Sequence, residues 1–292
     1  MPPAAKLQTR ILTRQTKSGE YKIYRAGLEW DLTDPIVIES SEDFKSTSKW
    51  QDKLTPYRHQ VGNLITFCRR LPVTLLADDV GLGKTISAGL VMSELIVRSR
   101  LSKVLIVCPK LLCPQWQQEL TEKFDIESEI ATGRALLEAD PGEVGAVITT
   151  YNSARLYLEK LPEDRFQMLV LDEAHKLRNL YGVPNPPQVA KQFQKALEDR
   201  RFRFVLMLTA TPIQNRLWEL YSLVDLLTTA RGHENPFGSP GMFARRFIAD
   251  CPSADKLRLV RRFEKGGSGS SGLEFKRPAA DAASGGLRWL HA

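Results

Sequence analysis

The sequence predicts an α/β fold, a parallel sheet with helices on both faces, and three observations carry that expectation. From residue 54 onward, apolar runs of strand length alternate with longer helical patterns, the arrangement that crossover connections between parallel strands produce. The runs are nearly continuous in Val, Leu and Ile, as strands covered on both faces are. Three of them end in short polar clusters, at the carboxyl ends where open parallel sheets bind ligands.

In chain order, residues 1–53 form an N-terminal extension. Tyr21, Ile23, Tyr24 and the segment 28–30 suit short strands there, and 40–49 is polar and loop-like. Residues 54–230 form one lobe. Its strands are expected at 73–77, 104–108, 146–150, 168–171 and 204–208, each a short apolar run. Its helices are expected at 57–70, 85–98, 114–123, 153–161, 188–199 and 216–227; Trp116 and Leu120 show the helical spacing. Residues 231–265, rich in Gly and Pro and then basic, read as a basic helical extension. Residues 266–292 read as a Gly/Ser linker and a disordered tail without apolar periodicity. No internal repeat is visible.

A chain of 292 residues with 42% hydrophobic and 26% charged residues is neither a disordered chain, a collagen nor a coiled-coil rod. The net charge of +7 is unevenly placed: residues 54–230 carry 21 basic and 20 acidic groups, whereas 231–292 carry 11 and 6. A nucleic-acid partner therefore cannot be argued from a uniformly basic body. Cys68, Cys108, Cys113 and Cys251 form no Cys-x-x-Cys pair, which disfavours zinc and a disulfide framework and suits a reducing compartment. The N-terminus lacks the apolar stretch of a secretory signal, and no window reaches about 18 apolar residues. The expectation is a soluble cytoplasmic protein with no membrane partner.

Residues 78–85 read Asp-Asp-Val-Gly-Leu-Gly-Lys-Thr, between an apolar strand and an amphipathic helix, the context a nucleotide phosphate loop requires. Gly81 and Gly83 let the backbone turn tightly with its N–H groups inward, and the helix N-terminus adds unpaired donors. Lys84 would reach the outer phosphates of ATP, and the Thr85 hydroxyl would bind Mg2+. Asp79 and Leu82 complete the loop. A full Gly-x-x-x-x-Gly-Lys-Thr pattern would place glycine at 78, where aspartate stands. Asp172 and Glu173, in Asp-Glu-Ala-His, end another apolar strand 88 residues beyond Lys84. Asp172 would hold the metal through its water shell, and Glu173 would orient and deprotonate an attacking water. A third strand runs into Thr-Ala-Thr-Pro at 209–212, whose hydroxyls suit hydrogen bonds to the acidic box. Each motif alone also suits a cap or a turn. Those readings do not explain why the three occur in this order, each at a strand end.

With these motifs the chain resembles the first motor lobe of helicase superfamily two, and more narrowly the Swi/Snf-type double-stranded DNA translocases. The narrower likeness rests on 76–85, on Ile106-Val107-Cys108-Pro109 with Trp116 downstream, and on Thr211-Pro212-Ile213-Gln214-Asn215. In that family the phosphate loop is typically preceded by Ala-Asp-Asp or Ala-Asp-Glu, so Asp78 fits. Val80 and Ala88-Gly89 look most like the bacterial and archaeal branch, for which nucleoid association is expected. The resemblance implies a RecA-like P-loop NTPase lobe with a DEAH box, ATP and Mg2+ as ligands, and double-stranded DNA as partner. Residues 54–60 resemble the adenine-reading segment, with Gln60 favoured over Arg58 because an amide both donates and accepts. His175, Thr209, Thr211 and Gln214 would couple nucleotide to movement, and Lys110 and Thr150 would touch DNA phosphates. Trp116 suits either the core or base stacking, Gln214 and Asn215 either DNA contact or a helix cap, and Arg245, Arg246, Arg258, Arg261 and Arg262 either DNA or a solvated face. The residues after Thr-Ala-Thr-Pro are too few for a second RecA-like lobe, which in the family supplies arginine fingers. The chain alone is therefore expected to hydrolyse ATP poorly and not to translocate, its second lobe lying in cis in a longer protein or in trans. A non-catalytic nucleotide-binding scaffold is the alternative, and an intact Glu173 argues against it.

Overall fold

The computed structural model describes residue 36 and residues 38–69 and 71–248. The chain divides into a unit Met1–Val37 and a unit Ile38–Ala292, and all that follows concerns the second. The expected strands near Tyr21 to Trp30, the arginines 258, 261 and 262, and the Gly/Ser run lie outside the described residues.

Six parallel strands form one sheet: β1 (Val73–Leu76), β2 (Lys103–Cys108), β3 (Ser128–Ile130), β4 (Gly145–Thr150), β5 (Met168–Asp172) and β6 (Phe204–Leu208), in the order β1-β6-β5-β2-β4-β3. The five expected strands occur within a residue of their expected ends. β3 is an addition. Its Ser-Glu-Ile has no apolar run, because it sits at the sheet edge against β4 alone and needs no second buried face.

Among the described residues α1 (Arg58–Arg69) precedes β1, α2 (Lys84–Val97), α3 (Cys113–Phe124), α4 (Tyr151–Tyr157) and α5 (Gln188–Glu198) connect strands, and α6 (Leu217–Arg231) follows β6. The pattern expected over 153–161 begins two residues earlier, because the Thr150 side chain caps α4, and it ends in the 3-10 turn Leu158–Lys160. α6 outruns its expected end and stops where Gly232 takes a left-handed φ of 72°. One sheet face, with Leu75, Leu105, Val107, Val147, Leu169, Leu171, Val205 and Met207, packs with Ala154 of α4, Phe193 and Leu197 of α5, and Leu223 and Leu226 of α6. The alternate strand residues, such as Val104, Ile106, Ile148, Val170 and Leu206, are buried too. Helices on both faces follow from that.

α2 packs between α1 and α3. The approach to α3 is close: a Cβ on Gly89 would lie 2.1 Å from Cε2 of the buried Phe124. Gly89→Ala is expected to destabilise the lobe by about 1–3 kcal/mol through overpacking. A lowered urea midpoint at unchanged m-value would show it.

Residues 38–53 are bound to the same helix. Glu94 of α2 is fully buried and accepts the backbone N–H groups of Lys45 (3.1 Å) and Ser46 (3.0 Å) and the Nε–H of Arg98 (2.6 Å). Arg98 in turn donates to the Asp43 carbonyl, and Trp50 donates its indole N–H to the Ser46 hydroxyl. Beyond α6, the described part of the basic extension lays Phe237, Phe243 and Phe247 over Leu217, Leu220, Tyr221 and Val224, the outer face of α6. Arg246 stacks on Phe247 and Arg245 is exposed. No helix among the described residues is long and apolar enough to cross a membrane.

Candidate active site

The strand order places the three motifs side by side, because β1, β6 and β5 are neighbours. Leu76, Leu208 and Asp172 stand in register across them, so the phosphate loop, Thr-Ala-Thr-Pro and Asp-Glu-Ala-His leave one edge of the sheet at the same level. At a spacing of about 4.8 Å per strand, the two outer motifs stand roughly 10 Å apart. The Thr209 N–H donates to the Leu76 carbonyl and closes the row.

The loop turns on Gly81 (φ 82°) and Gly83 (φ 72°), conformations closed to most side chains. Lys84 and Thr85 open α2, a helix with no side-chain N-cap, so its first N–H groups point into the loop. Lys84 Nζ lies 3.1 Å from the carbonyls of Asp78 and Asp79. Gln60 is buried beneath the loop. Its Oε1 accepts the Tyr57 N–H (2.9 Å), and its Nε2 donates to the Leu82 carbonyl (3.1 Å). Nε2 is so near Gly83 that a Cβ there would meet it at 2.5 Å. Gln60 thus braces the turn with both ends of its amide. Three residues on, Asn63 donates to the Asp78 carboxylate (2.6 Å) and to the Ser87 hydroxyl (3.3 Å). Asp78, where the general loop pattern has glycine, is therefore the tie between α1 and the loop. His59 and Tyr57 stack at the same rim, with His59 Nε2 2.9 Å from the Leu82 carbonyl and the Tyr57 ring exposed.

The acidic box has two environments. Asp172 is buried, and burial, reinforced by the Glu173 charge, raises its pKa despite the hydrogen bond from Trp116. Its Oδ2 accepts the Trp116 indole N–H (2.8 Å), its Oδ1 accepts the Glu173 N–H (2.9 Å), and its carbonyl accepts the Tyr151 hydroxyl (2.8 Å). Glu173 is half-exposed and sits in the left-handed region at φ 55°, which is unfavourable for a side chain and common at functional sites. Its Oε2 meets His175 Nδ1 at 2.9 Å. Burial lowers the His175 pKa, with Arg178 and Lys176 adding to it, against the opposing pull of Glu173. A neutral His175 that donates from Nδ1 to Glu173 fits both facts. Thr209 Oγ1 lies 3.4 Å from the same nitrogen and accepts the Thr211 N–H at 3.2 Å. The structure so links Glu173, His175, Thr209 and Thr211 in one polar chain.

Hard oxygen donors suit magnesium, which keeps most of its water and takes one or two protein groups beside the substrate phosphates. Thr85 and Asp172 carry donors of that kind, and among the described residues there is no group of three or more His, Cys, Asp or Glu side chains that could hold a metal ion. The remaining expected residues fall elsewhere. Lys110 is exposed in the turn after β2. Thr150 ends β4, and its hydroxyl accepts the Ser153 N–H as the cap of α4. Trp116 is buried rather than presented to a base. Gln214 and Asn215 give their backbone N–H groups to the Glu219 carboxylate (2.6 and 3.1 Å), whose other oxygen lies 3.4 Å from Arg178 Nε. Glu219 therefore fastens the turn after β6 to the turn after β5. Asn63 and Glu219 belong to no sequence motif, Asn63's place three residues after Gln60 on the same helix face being the only signal, and Tyr151, in a turn expected to approach DNA, is instead buried with its hydroxyl on the Asp172 carbonyl.

Comparison with known proteins agrees with this arrangement. The SNF2-related domain family matches residues 57–265. An uncharacterised ATP-dependent helicase of Bacillus subtilis (strain 168), YqhH, is 36% identical over 222 residues, which are 75% of this chain and 37% of that protein. Among solved structures, the Sulfolobus solfataricus SWI2/SNF2 ATPase core in complex with dsDNA matches with a TM-score of 0.58 at 24% identity, over 73% of this chain and 43% of that one. The SWI2/SNF2 ATPase core domain of the same organism matches with a TM-score of 0.53 at 23% identity, over 81% and 47%. The chain spans less than half the length of these relatives. With the phosphate loop, the acidic box and the threonine turn on three adjacent strand ends, and the family match covering most of its length, the chain belongs to the SNF2-related family of ATP-dependent helicase-like proteins, its sheet being the N-terminal RecA-like lobe.

Proposed function

We propose that this lobe binds ATP with Mg2+ across the ends of β1, β6 and β5 and hydrolyses it, and that hydrolysis drives movement along double-stranded DNA when the lobe works with a second RecA-like lobe, in cis or in trans. One observation carries the reading: three strand ends bring together a phosphate loop, a buried carboxylate and a half-exposed one, with a polar chain running from Glu173 to Thr211. In this reading Asp79, Gly81, Leu82, Gly83, Lys84 and Thr85 hold the phosphates, and Lys84 exchanges two backbone carbonyls for phosphate oxygens. The exposed Tyr57 flanks the base, and Gln60 reads it by giving up the Tyr57 N–H and the Leu82 carbonyl that its amide holds in this structure. Bound Mg2+, held by Thr85 and Asp172, would neutralise phosphate charge and polarise the phosphoryl group. Glu173 accepts the proton of the attacking water, with His175 fixing one of its oxygens. Thr209, Thr211 and Gln214 relay the state of Glu173 to the turn that Glu219 holds. Lys110 and Thr150, after β2 and β4, contact DNA phosphates without reading sequence.

The Lys84→Ala variant tests the site. Its affinity for Mg2+-ATP, measured by calorimetry, is expected to fall at least ~10-fold, the loss of roughly one charge-assisted hydrogen bond. Wild-type affinity in this variant would overturn the phosphate-loop reading. For the DNA arm, Lys110→Ala is expected to weaken duplex binding equally for unrelated sequences and to flatten its salt dependence.

A further inference from the structure

We propose that Trp116 is a positioning residue for Asp172, and that its indole N–H sets the Mg2+ affinity of the nucleotide site. The inference rests on the reading of Asp172 as the magnesium carboxylate. Trp116 lies on α3, far from Asp172 in sequence, and is 1% exposed. A residue needed only to fill the core at that point could be purely apolar. This one instead aims its single polar atom at Asp172 Oδ2, 2.8 Å away.

The other acceptors of Asp172 are engaged from different elements: Oδ1 by the Glu173 N–H and the carbonyl by the Tyr151 hydroxyl at the start of α4. Three donors therefore fix the side-chain torsion and backbone of one residue, and among the described residues only the indole bond fixes the carboxylate plane from outside its own turn. A hydrogen bond from a neutral donor to a carboxylate is stronger than one between neutral groups, so it holds a buried carboxylate that would otherwise be free to turn. Outer partners of this kind orient metal-binding carboxylates, and their removal typically costs about 10–100-fold in metal affinity or activity.

The test uses the full chain and an ADP carrying a fluorophore, whose anisotropy is read with and without Mg2+. For Trp116→Phe, which keeps an aromatic ring and removes the donor, the Mg2+ concentration giving half of the metal-dependent binding is expected to rise ~10-fold or more. Nucleotide binding in chelator is expected to stay unchanged, which a merely structural loss would not allow. Where the smaller ring unfolds the lobe, a tryptophan analogue at position 116 with sulfur in place of the indole N–H keeps the shape and removes the same donor; the same shift is expected. A wild-type Mg2+ dependence in the folded variant or the analogue overturns the role of Trp116 alone, as does an equal loss with and without metal. Absence of Mg2+-dependent nucleotide binding in the unsubstituted chain overturns the site reading, and this inference with it.

Discussion

In the Glu173→Gln variant, single-turnover ATP hydrolysis is expected to slow by about 10²–10⁴-fold, the usual contribution of a positioned general base. Mg2+-ATP binding is expected to persist. The two effects separate because Asp172 and Glu173 are held differently. Asp172 is buried and bonded on both oxygens, while Glu173 is half-exposed and has a left-handed backbone that turns it away from the strand. Glutamine keeps the size and a hydrogen-bonding oxygen for His175, so the polar chain to Thr209 survives and only basicity is lost. Quench-flow or filter-binding assays with protein in excess over ATP resolve the slow hydrolysis. Hydrolysis at the wild-type rate would remove Glu173 from the mechanism, and loss of binding would mean that it supports the site rather than the chemistry.

A larger loss of stability is expected from Glu94→Ala. Glu94 is buried, and removing it strands the Arg98 guanidinium and the N–H groups of Lys45 and Ser46. Breaking a buried, hydrogen-bonded charge pair costs about 3–5 kcal/mol. For a lobe of this size that corresponds to a fall in Tm of roughly 10 °C. Burial alone would push the Glu94 pKa up, but hydrogen bonds from Ser46, Arg98 and Lys45 outweigh it and hold the carboxyl below its ordinary value of 4.5. A lowered folded-state pKa means that the stabilisation is fully present above the unfolded value and is lost as pH falls through the folded one. The Glu94 contribution should therefore vanish only below about pH 4.5, and Glu94→Gln should flatten that part of the stability curve. Circular dichroism melts across pH 3–7 would show both.

The sheet was legible because each of its central strands needs two apolar faces, which a short Val, Leu and Ile run supplies without ambiguity. β3 was not, since an edge strand of Ser-Glu-Ile carries no such demand. The site motifs were legible because each is contiguous, and a phosphate loop must be: its donors come from successive backbone N–H groups. The supports were not. Trp116 and Asp172 are 56 residues apart, and Tyr151 and Asp172 are 21 apart, distances that only the folded sheet closes. Helical spacing indicated that Trp116 is buried but not which atom its nitrogen meets. Gln60 was singled out for its amide, and the structure adds that both ends of that amide brace the loop.

The place of β1 in the sheet also governs when the site comes into being. β1 pairs with β6 alone among the described strands, and the Val73 to Val205 pairing joins segments well over a hundred residues apart. A ribosome adding about 5–20 residues per second needs roughly ten seconds between making the phosphate loop and releasing the strand that seats it. During that interval β2, β4 and β5 already have one another, while Lys84 and Thr85 hang on a strand without a sheet. On the proposed reading of the site, ATP can therefore bind only once β6 has docked, so it should slow the undocking of β6 and leave the rates of the folding steps before it unchanged.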